Sequence, residues 1–441
     1  MGRARGRRGH RSGGPGVLTI IFLVFLGAVL VGFDVGLSMV AAAIVGMILH
    51  PTYPVDLIMV PLTMSNAVND STLVTIPLFV LAAEIMNHGG LTRRLVDWAL
   101  SVVGHVKGGL SQVSITSNLI MAGVSGSAVA DAAATGGILI PAMRKEGYPE
   151  GYAGAVVASG AMLGPIIPPS VPMIIYAVIA NVSVVKLFMA GIVPGVMLAV
   201  GYMVICWLIA RSRDYPSRPR QGLRAIIATT QYSLFALGMP VIIVLGMRFG
   251  YVTDIEASAL AALYALLVSV FVYRAIGLRQ LLRVIFLATR SAAAVLFLLA
   301  AAGPFGWLLA EAKINDAIAS GILSITSDPL VGLLLINLIL LAIGCFLEPL
   351  PALVIFIPSL LPVGAALGID PVHLGLVMVM NLMIGMLTPP VGLLLFVVAG
   401  IGQIPLVKII RAVLPFLVWS LVVLGIATVF PAVVLWLPGQ V

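Results

Sequence analysis

The chain has 441 residues, 61% of them hydrophobic and only 9% charged, with a mean hydropathy of +1.18. This balance excludes a water-soluble globule, because the apolar residues exceed what one interior can hold and the charges are too few to cover a surface. The net charge of +8 does not point to nucleic acid, since Lys and Arg are grouped between apolar runs and not spread over one soluble face.

A bilayer core takes roughly 20 apolar helical residues per crossing, so this length supplies on the order of ten crossings plus loops. The two cysteines, Cys206 and Cys345, lie in apolar surroundings and offer neither a disulfide framework nor a Cys-rich metal site.

The sequence opens on the basic, then Gly-rich stretch MGRARGRRGHRSGGPG (1–16), read as a cytoplasmic tail. An apolar run over 17–49 follows, interrupted at Gly32-Phe33-Asp34. A signal peptide has this order of parts, but no small-x-small cleavage site follows and the chain stays hydrophobic, so the segment reads as a retained anchor. Position 6 is Gly, which fails the myristoylation pattern. The basic tail fixes a cytoplasmic start and favours one long broken crossing over two short ones.

Further apolar segments fall at 72–87, 111–143, 153–180, 187–210, 225–248, 255–273, 290–309, 329–365, 373–400 and 408–437. Two of them, 111–143 and 329–365, are too long and too broken by Gly and Pro for a simple span, and are predicted to be re-entrant hairpins. Arg93, Arg94, Lys107, Arg144 and Lys145 flank the first hairpin, which is therefore predicted to open to the cytoplasm. Residues 211–224 and Arg274, Arg279, Arg283 and Arg290 fall on that side too. Residues 311–328 carry Glu311, Asp316 and Asp328 against one Lys313 and fall outside, so the second hairpin opens outward.

The sequence also repeats at one constant offset, without a gap. Gly123 matches Gly344, Pro141 matches Pro362, Gly147 matches Gly368, Gly164 matches Gly385, Pro168-Pro169 match Pro389-Pro390, and Pro194 matches Pro415. The predicted fold is all-α and polytopic, a single membrane domain over 17–441. It holds two inverted-topology repeats (72–210 and 290–437) joined by linker spans (225–273), each with a re-entrant hairpin and a broken helix. Inverted repeats mark secondary transporters whose site lies near the bilayer midplane.

The breaks are GVSGSAVADAA (123–133), GPIIPPSVP (164–172), GCFLEPLPAL (344–353) and MLTPPVGLL (386–394). Glycine permits turns closed to other residues, and proline removes an N–H donor and stops an incoming helix. Bare backbone in lipid is costly, so such breaks persist where protein, water or a ligand satisfies them. Released carbonyls with the hydroxyls of Ser125, Ser127 and Ser170 suit a sodium ion, while half-helix N-termini suit an anion. Asn381, Thr388 and Glu348 are the polar groups in reach in the second copy, and Asp131 and Glu348 are acids within the membrane, where such residues are functional by default. Each of the two has a structural alternative, capping a half-helix or pairing with an Arg. Glu84 and Glu311 read as membrane-interface charges, and Asn118 and Asn337 as hydrogen bonds between helices.

GVSGSAVADAAATGGILIPAMRKEGY, GPIIPPSVPMIIYAVIANVSVVKLFMAGIVPG, GIDPVHLGLVMVMNLMIGMLTPPVGLLLF and FPAVVLWLP closely resemble the large membrane subunit of tripartite ATP-independent periplasmic (TRAP) transporters, from about Ile76 to Pro438. The resemblance implies sodium-driven uptake of an organic acid across a bacterial inner membrane by an elevator-type movement. It implies no cofactor beyond the coupling ion. It also implies two partners, a small four-helix membrane subunit and a periplasmic solute-binding protein.

By the same resemblance, one sodium site is expected at Gly123, Ser125, Gly126 and Ser127 with Pro168 and Pro169. The other is expected at Gly344 and Glu348 with Thr388 and Pro389. The solute is expected between the tips, at Ser125, Ser127, Asp131, Ser170, Asn381 and Thr388. The sequence departs from the family at Gly160-Ala161-Met162-Leu163, where hydroxyl residues are usual, and at Glu348, where Asp is usual.

Two other readings compete. A stand-alone sodium/carboxylate symporter would share the hairpins but need no partners. A rhomboid-like intramembrane serine protease would use the GxSG of Gly123 to Gly126, yet it needs a histidine base, and only His373 begins a late apolar helix.

Overall fold

The computed structural model describes residues 15–49, 57–312 and 314–440, and the basic stretch over 1–14 lies outside them. The chain order begins α1 (Pro15–Val31), α2 (Val35–Leu49), α3 (Met59–Ala67), α4 (Thr75–His88) and α5 (Leu91–Val103). Then come α6 (Gly109–Ser125), α7 (Ala128–Lys145), α8 (Glu150–Ala161), α9 (Val171–Ala180) and α10 (Val184–Ser212). The middle of the chain is α11 (Leu223–Arg248), α12 (Asp254–Leu267), α13 (Leu278–Glu311) and α14 (Ile314–Ile325). It closes with α15 (Pro329–Gly344), α16 (Pro349–Ala366), α17 (Pro371–Gly385), α18 (Leu393–Gly402), α19 (Leu406–Val429) and α20 (Pro431–Leu435). No strand occurs among the described residues. Among the described residues, seven helical segments are long and apolar enough to cross a membrane, and exposed Leu, Ile, Val and Phe side chains cover their outer faces.

The run over 17–49 is two helices packed on each other, not the single broken crossing favoured by its basic flank. Gly32 takes φ +97°, Asp34 Oδ1 accepts the Gly36 N–H at 2.9 Å, and the chain reverses there. Hydropathy also passed over α5, whose buried Leu91, Leu95, Val96 and Ala99 alternate with exposed Arg93 and Asp97 at helical spacing. Helix α13 begins twelve residues before the apolar run at 290.

Tight breaks separate α6 from α7 and α15 from α16, where the sequence predicts hairpins, and unwound segments separate α8 from α9 and α17 from α18. Helices α7 and α16 begin and end at the same offset that separates Gly123 from Gly344, and α8 and α17 begin at it too. Packing is reciprocal: α7 rests on α18 while its counterpart α16 rests on α9, and α8 rests on α19 while α17 rests on α10. Helices α10 and α19 cross through a Tyr202–Ser420 hydroxyl bond of 2.6 Å and the Trp419 indole N–H donating to the Met197 carbonyl at 3.1 Å. Gly201 lies directly under that indole.

The connection from α10 to α11 is bound to the base of the first hairpin. Asp214 Oδ1 accepts from Lys107 Nζ at 2.6 Å, Tyr215 packs against Tyr148 and Tyr152, and the Arg218 side chain grips Glu146. The Arg218 backbone N–H donates to the Gly104 carbonyl at 3.2 Å.

Candidate functional site

The first hairpin turns at Gly126, whose φ of +60° is left-handed. A Cβ there would lie 2.7 Å from the Pro169 carbonyl oxygen, so glycine lets the tip seat on the α8–α9 break. Ser125 is nearly buried, and its hydroxyl accepts the Ser127 N–H at 3.3 Å. Ser127 is the N-cap of α7, its Oγ accepting the Ala130 N–H at 3.4 Å. Gly123 packs instead against the Pro240 ring of α11.

Across from this tip, Pro168 and Pro169 lie in the unwound segment, and buried Ser170 caps α9 while donating to the Pro165 carbonyl. Among the described residues nothing donates to the carbonyls of Gly126, Pro168 or Pro169. Asp131, in the first turn of α7, is wholly buried beside the Ser125 side chain; among the described residues its carboxylate oxygens meet no hydrogen-bond geometry and no arginine pairs with it. It faces Gly164, where a Cβ would lie 2.6 Å from Oδ2.

The second hairpin repeats the arrangement with different side chains. Gly344 rests against Gly385 at the end of α17, where a Cβ would come within 2.5 Å of the Gly344 carbonyl carbon. The Gly392 N–H donates to the Cys345 carbonyl at 3.4 Å, joining this tip to the α17–α18 break. Glu348 is the N-cap residue of α16, yet its carboxylate makes no capping bond. Thr388 donates to the Ile384 carbonyl at 2.8 Å, beside Pro389. Asn381 donates to the Asn337 carbonyl and Oδ1 at 3.0 and 2.8 Å, and Asn337 donates to Thr428 at 2.8 Å, so this chain of amides ties α15, α17 and α19 together. Asn118 accepts from Thr135 of α7 at 3.3 Å.

The two tips meet on one cavity of about 370 Å³. It is lined by Ser125, Gly126 and Ser127 of the first tip, by Glu348 of the second, and by Pro165, Met383 and Met386 from the breaks. The first turns of three half-helices also line it: Ala128 to Ala130 of α7, Val171 and Pro172 of α9, and Pro349 and Leu350 of α16. Three helix N-termini border one space and bring their positive dipole ends to it, although the caps take up the Ala130 and Met173 N–H groups and Pro172 and Pro349 carry none.

Gly123, Asp131, Pro168, Pro169, Ser170, Gly344, Asn381, Thr388 and Pro389 are not among the residues that line it. Glu84, read from the sequence as an interface charge, lines the cavity, as do Asn87 and Ser291, which the sequence did not single out. The helical spacing of Val80, Ala83, Glu84 and Asn87 on α4 was the available signal. Among the described residues, no lysine, arginine or histidine lines the cavity. His373 bonds the Ala427 carbonyl at 2.7 Å and lies ten residues along α17 from Met383, about 15 Å of helix, out of reach of Ser125 as a base.

A polytopic helical protein in which hairpin tips and half-helices close on one charged cavity is a membrane transport protein. Residues 19–433 match the DctM component of the tripartite ATP-independent periplasmic transporters, and the chain belongs to that family. It is 38% identical over 414 residues to the sialic acid TRAP transporter large permease protein SiaM of Vibrio cholerae, covering 94% of this chain and 96% of that one. It is 40% identical over 368 residues to the C4-dicarboxylate TRAP transporter large permease protein DctM of Pseudomonas aeruginosa, covering 83% and 86%. The 2,3-diketo-L-gulonate TRAP transporter large permease protein YiaN of Escherichia coli is 36% identical over 396 residues, covering 89% and 93%. The Alcanivorax borkumensis YdaH transporter shares the fold, with a TM-score of 0.59 at 15% identity over 82% of this chain and 88% of that one.

Proposed function

We propose that this chain is the sodium-driven large permease of a three-part uptake system in a bacterial inner membrane, importing an organic acid. The observation that carries this reading is the convergence of three half-helix N-termini on a cavity that also holds Glu348. The dipole ends favour a carboxylate, while Glu348, the serine hydroxyls and the undonated carbonyls of Gly126, Pro168 and Pro169 favour a hard cation beside it. With no fixed cationic side chain on the wall, a bound sodium ion supplies the charge that holds the anion, which couples the two.

Sialic acid, C4-dicarboxylates and 2,3-diketo-L-gulonate, the solutes in the relatives' names, all carry carboxylates, and this supports the solute class. The shared offset of the paired helices, the reciprocal packing and the charge distribution support two inverted repeats, over 72–210 and 290–437. An elevator-type displacement of the hairpin-bearing unit would carry the site across. Family membership supports two partners, a small four-helix membrane subunit and a periplasmic solute-binding protein.

The test is uptake by the purified chain in liposomes under an inward sodium gradient, with a panel of labelled organic acids. Uptake is expected only when the small subunit and the solute-bound binding protein are both added. Transport by this chain alone would make it a stand-alone symporter.

A further inference from the structure

We propose, resting on the reading of this chain as an organic-anion permease, that a basic vestibule between α4 and α13 is a second anion site. It would hold the solute's carboxylate as it passes from the central cavity to the cytoplasm. On α13, Gln280, Val284, Leu287, Ser291 and Val295 recur at spacings of three and four and so share one face. Ser291 and Val295 line the central cavity, whereas Gln280, Val284 and Leu287 line a second cavity of about 520 Å³. On α4, Glu84 and Asn87 line the first cavity and His88 the second. Helices α4 and α13 pack together, so the cavities are successive along one seam. Leu287 and Ser291 are four residues apart, about 6 Å of helix.

The chemistry changes along that seam. No cationic side chain lines the central cavity, but Arg279 and Arg283, one turn apart, line the second together with His88. Neither arginine has an acidic partner among the described residues. The carboxylate facing the seam is Glu84, and its Oε2 lies 3.5 Å from His88 Nδ1. The neighbouring face of α13 exposes Leu278, Leu282 and Phe286, which sets the arginines at the edge of the lipid. An anion leaving the central cavity inward therefore meets its first fixed cations here, and their field favours the outgoing direction.

The experiment places a single reporter, Leu287→Cys, in the full transporter in inside-out vesicles. The native Cys206 and Cys345 are buried, and the chain without the reporter supplies the background. A negatively charged thiosulfonate reagent should react faster than a positively charged one, and R279Q/R283Q should lower that ratio by about tenfold or more. R279K/R283K should restore the ratio, and the transported solute should slow the negative reagent.

An unchanged ratio in R279Q/R283Q, or no protection by solute, overturns the proposal. So does a wild-type ratio that falls to the R279Q/R283Q value once phosphatidylglycerol is added to phosphatidylcholine vesicles, because the pocket then holds a lipid headgroup. Uptake is measured in the same vesicles. If wild type moves no organic acid, the functional reading fails; if it does and the ratio is unchanged, only the vestibule falls.

Discussion

Ser127 and Glu348 are separated by the same offset as Gly123 and Gly344, each is the last residue before its helix, α7 or α16, and both face the same cavity. Ser127 caps its helix with its side chain; Glu348 does not, which leaves its carboxylate for a ligand. Glu348→Gln should raise the sodium concentration for half-maximal uptake roughly tenfold or more, since a contact to a charged group is worth about 1.5–3 kcal/mol. Ser125→Ala should move it in the same direction. Sodium titrations of uptake that match wild type for both variants would remove these residues from the ion site.

The close approach of Gly385 to Gly344 leaves no space for a methyl group between the tip and its broken helix. Gly385→Ala should lower stability in detergent by about 1–3 kcal/mol, the usual result of overpacking, and should depress uptake more than membrane insertion. Gly137, which has nothing within 4 Å of its Cβ position, is the control: Gly137→Ala should be neutral or stabilising. A thermal melt of both variants decides the matter.

Asn381 is predicted to act through helix packing. Its amide NH2 donates to Asn337, while its Oδ1 has no partner among the described residues; intramembrane bonds of this kind are worth about 0.6–1.7 kcal/mol. Asn381→Ala should therefore lower the melting temperature while leaving the KM for solute unchanged. A raised KM at unchanged melting temperature would instead make Asn381 a solute contact.

At the base of the first hairpin, the hydrogen bond and charge of Lys107 hold the Asp214 carboxyl below its ordinary value of 3.8. A carboxylate with a depressed pKa stabilises the fold above its ordinary value and loses that contribution as pH falls through the folded one. Lys107→Met should thus be less stable than wild type at neutral pH, and the gap should close as the pH drops below that range. Melting curves across the acid range test the sign; a gap that widens with acid would contradict it.

Both hairpins and both breaks were legible because glycine and proline interrupt long apolar runs and lipid leaves such interruptions few explanations. Hydropathy located the apolar runs and could not see α5, whose Arg93 and Asp97 dilute a buried face that a 3.6-residue period preserves. The site was half legible. Ser125, Ser127 and Glu348 announced themselves as polar atoms at a break, and the cavity brings them together. Glu84 and Ser291 sit on uninterrupted helices, and only the packing of α4 on α13 turns them inward. Asn381, expected at the solute site, donates to Asn337, a partner far away in sequence that the broken-helix pattern does not reveal.

The binding of Asp214, Tyr215 and Arg218 to the base of the first hairpin limits how far that hairpin can travel. From Arg218, only residues 219–222 remain before α11 begins at Leu223. A fully extended residue covers at most about 3.5 Å, so this leash reaches no more than roughly 18 Å. While Arg218 stays docked, the base of the hairpin lies no farther than that from the start of α11, and any arrangement that separates the two further must first undock the strap.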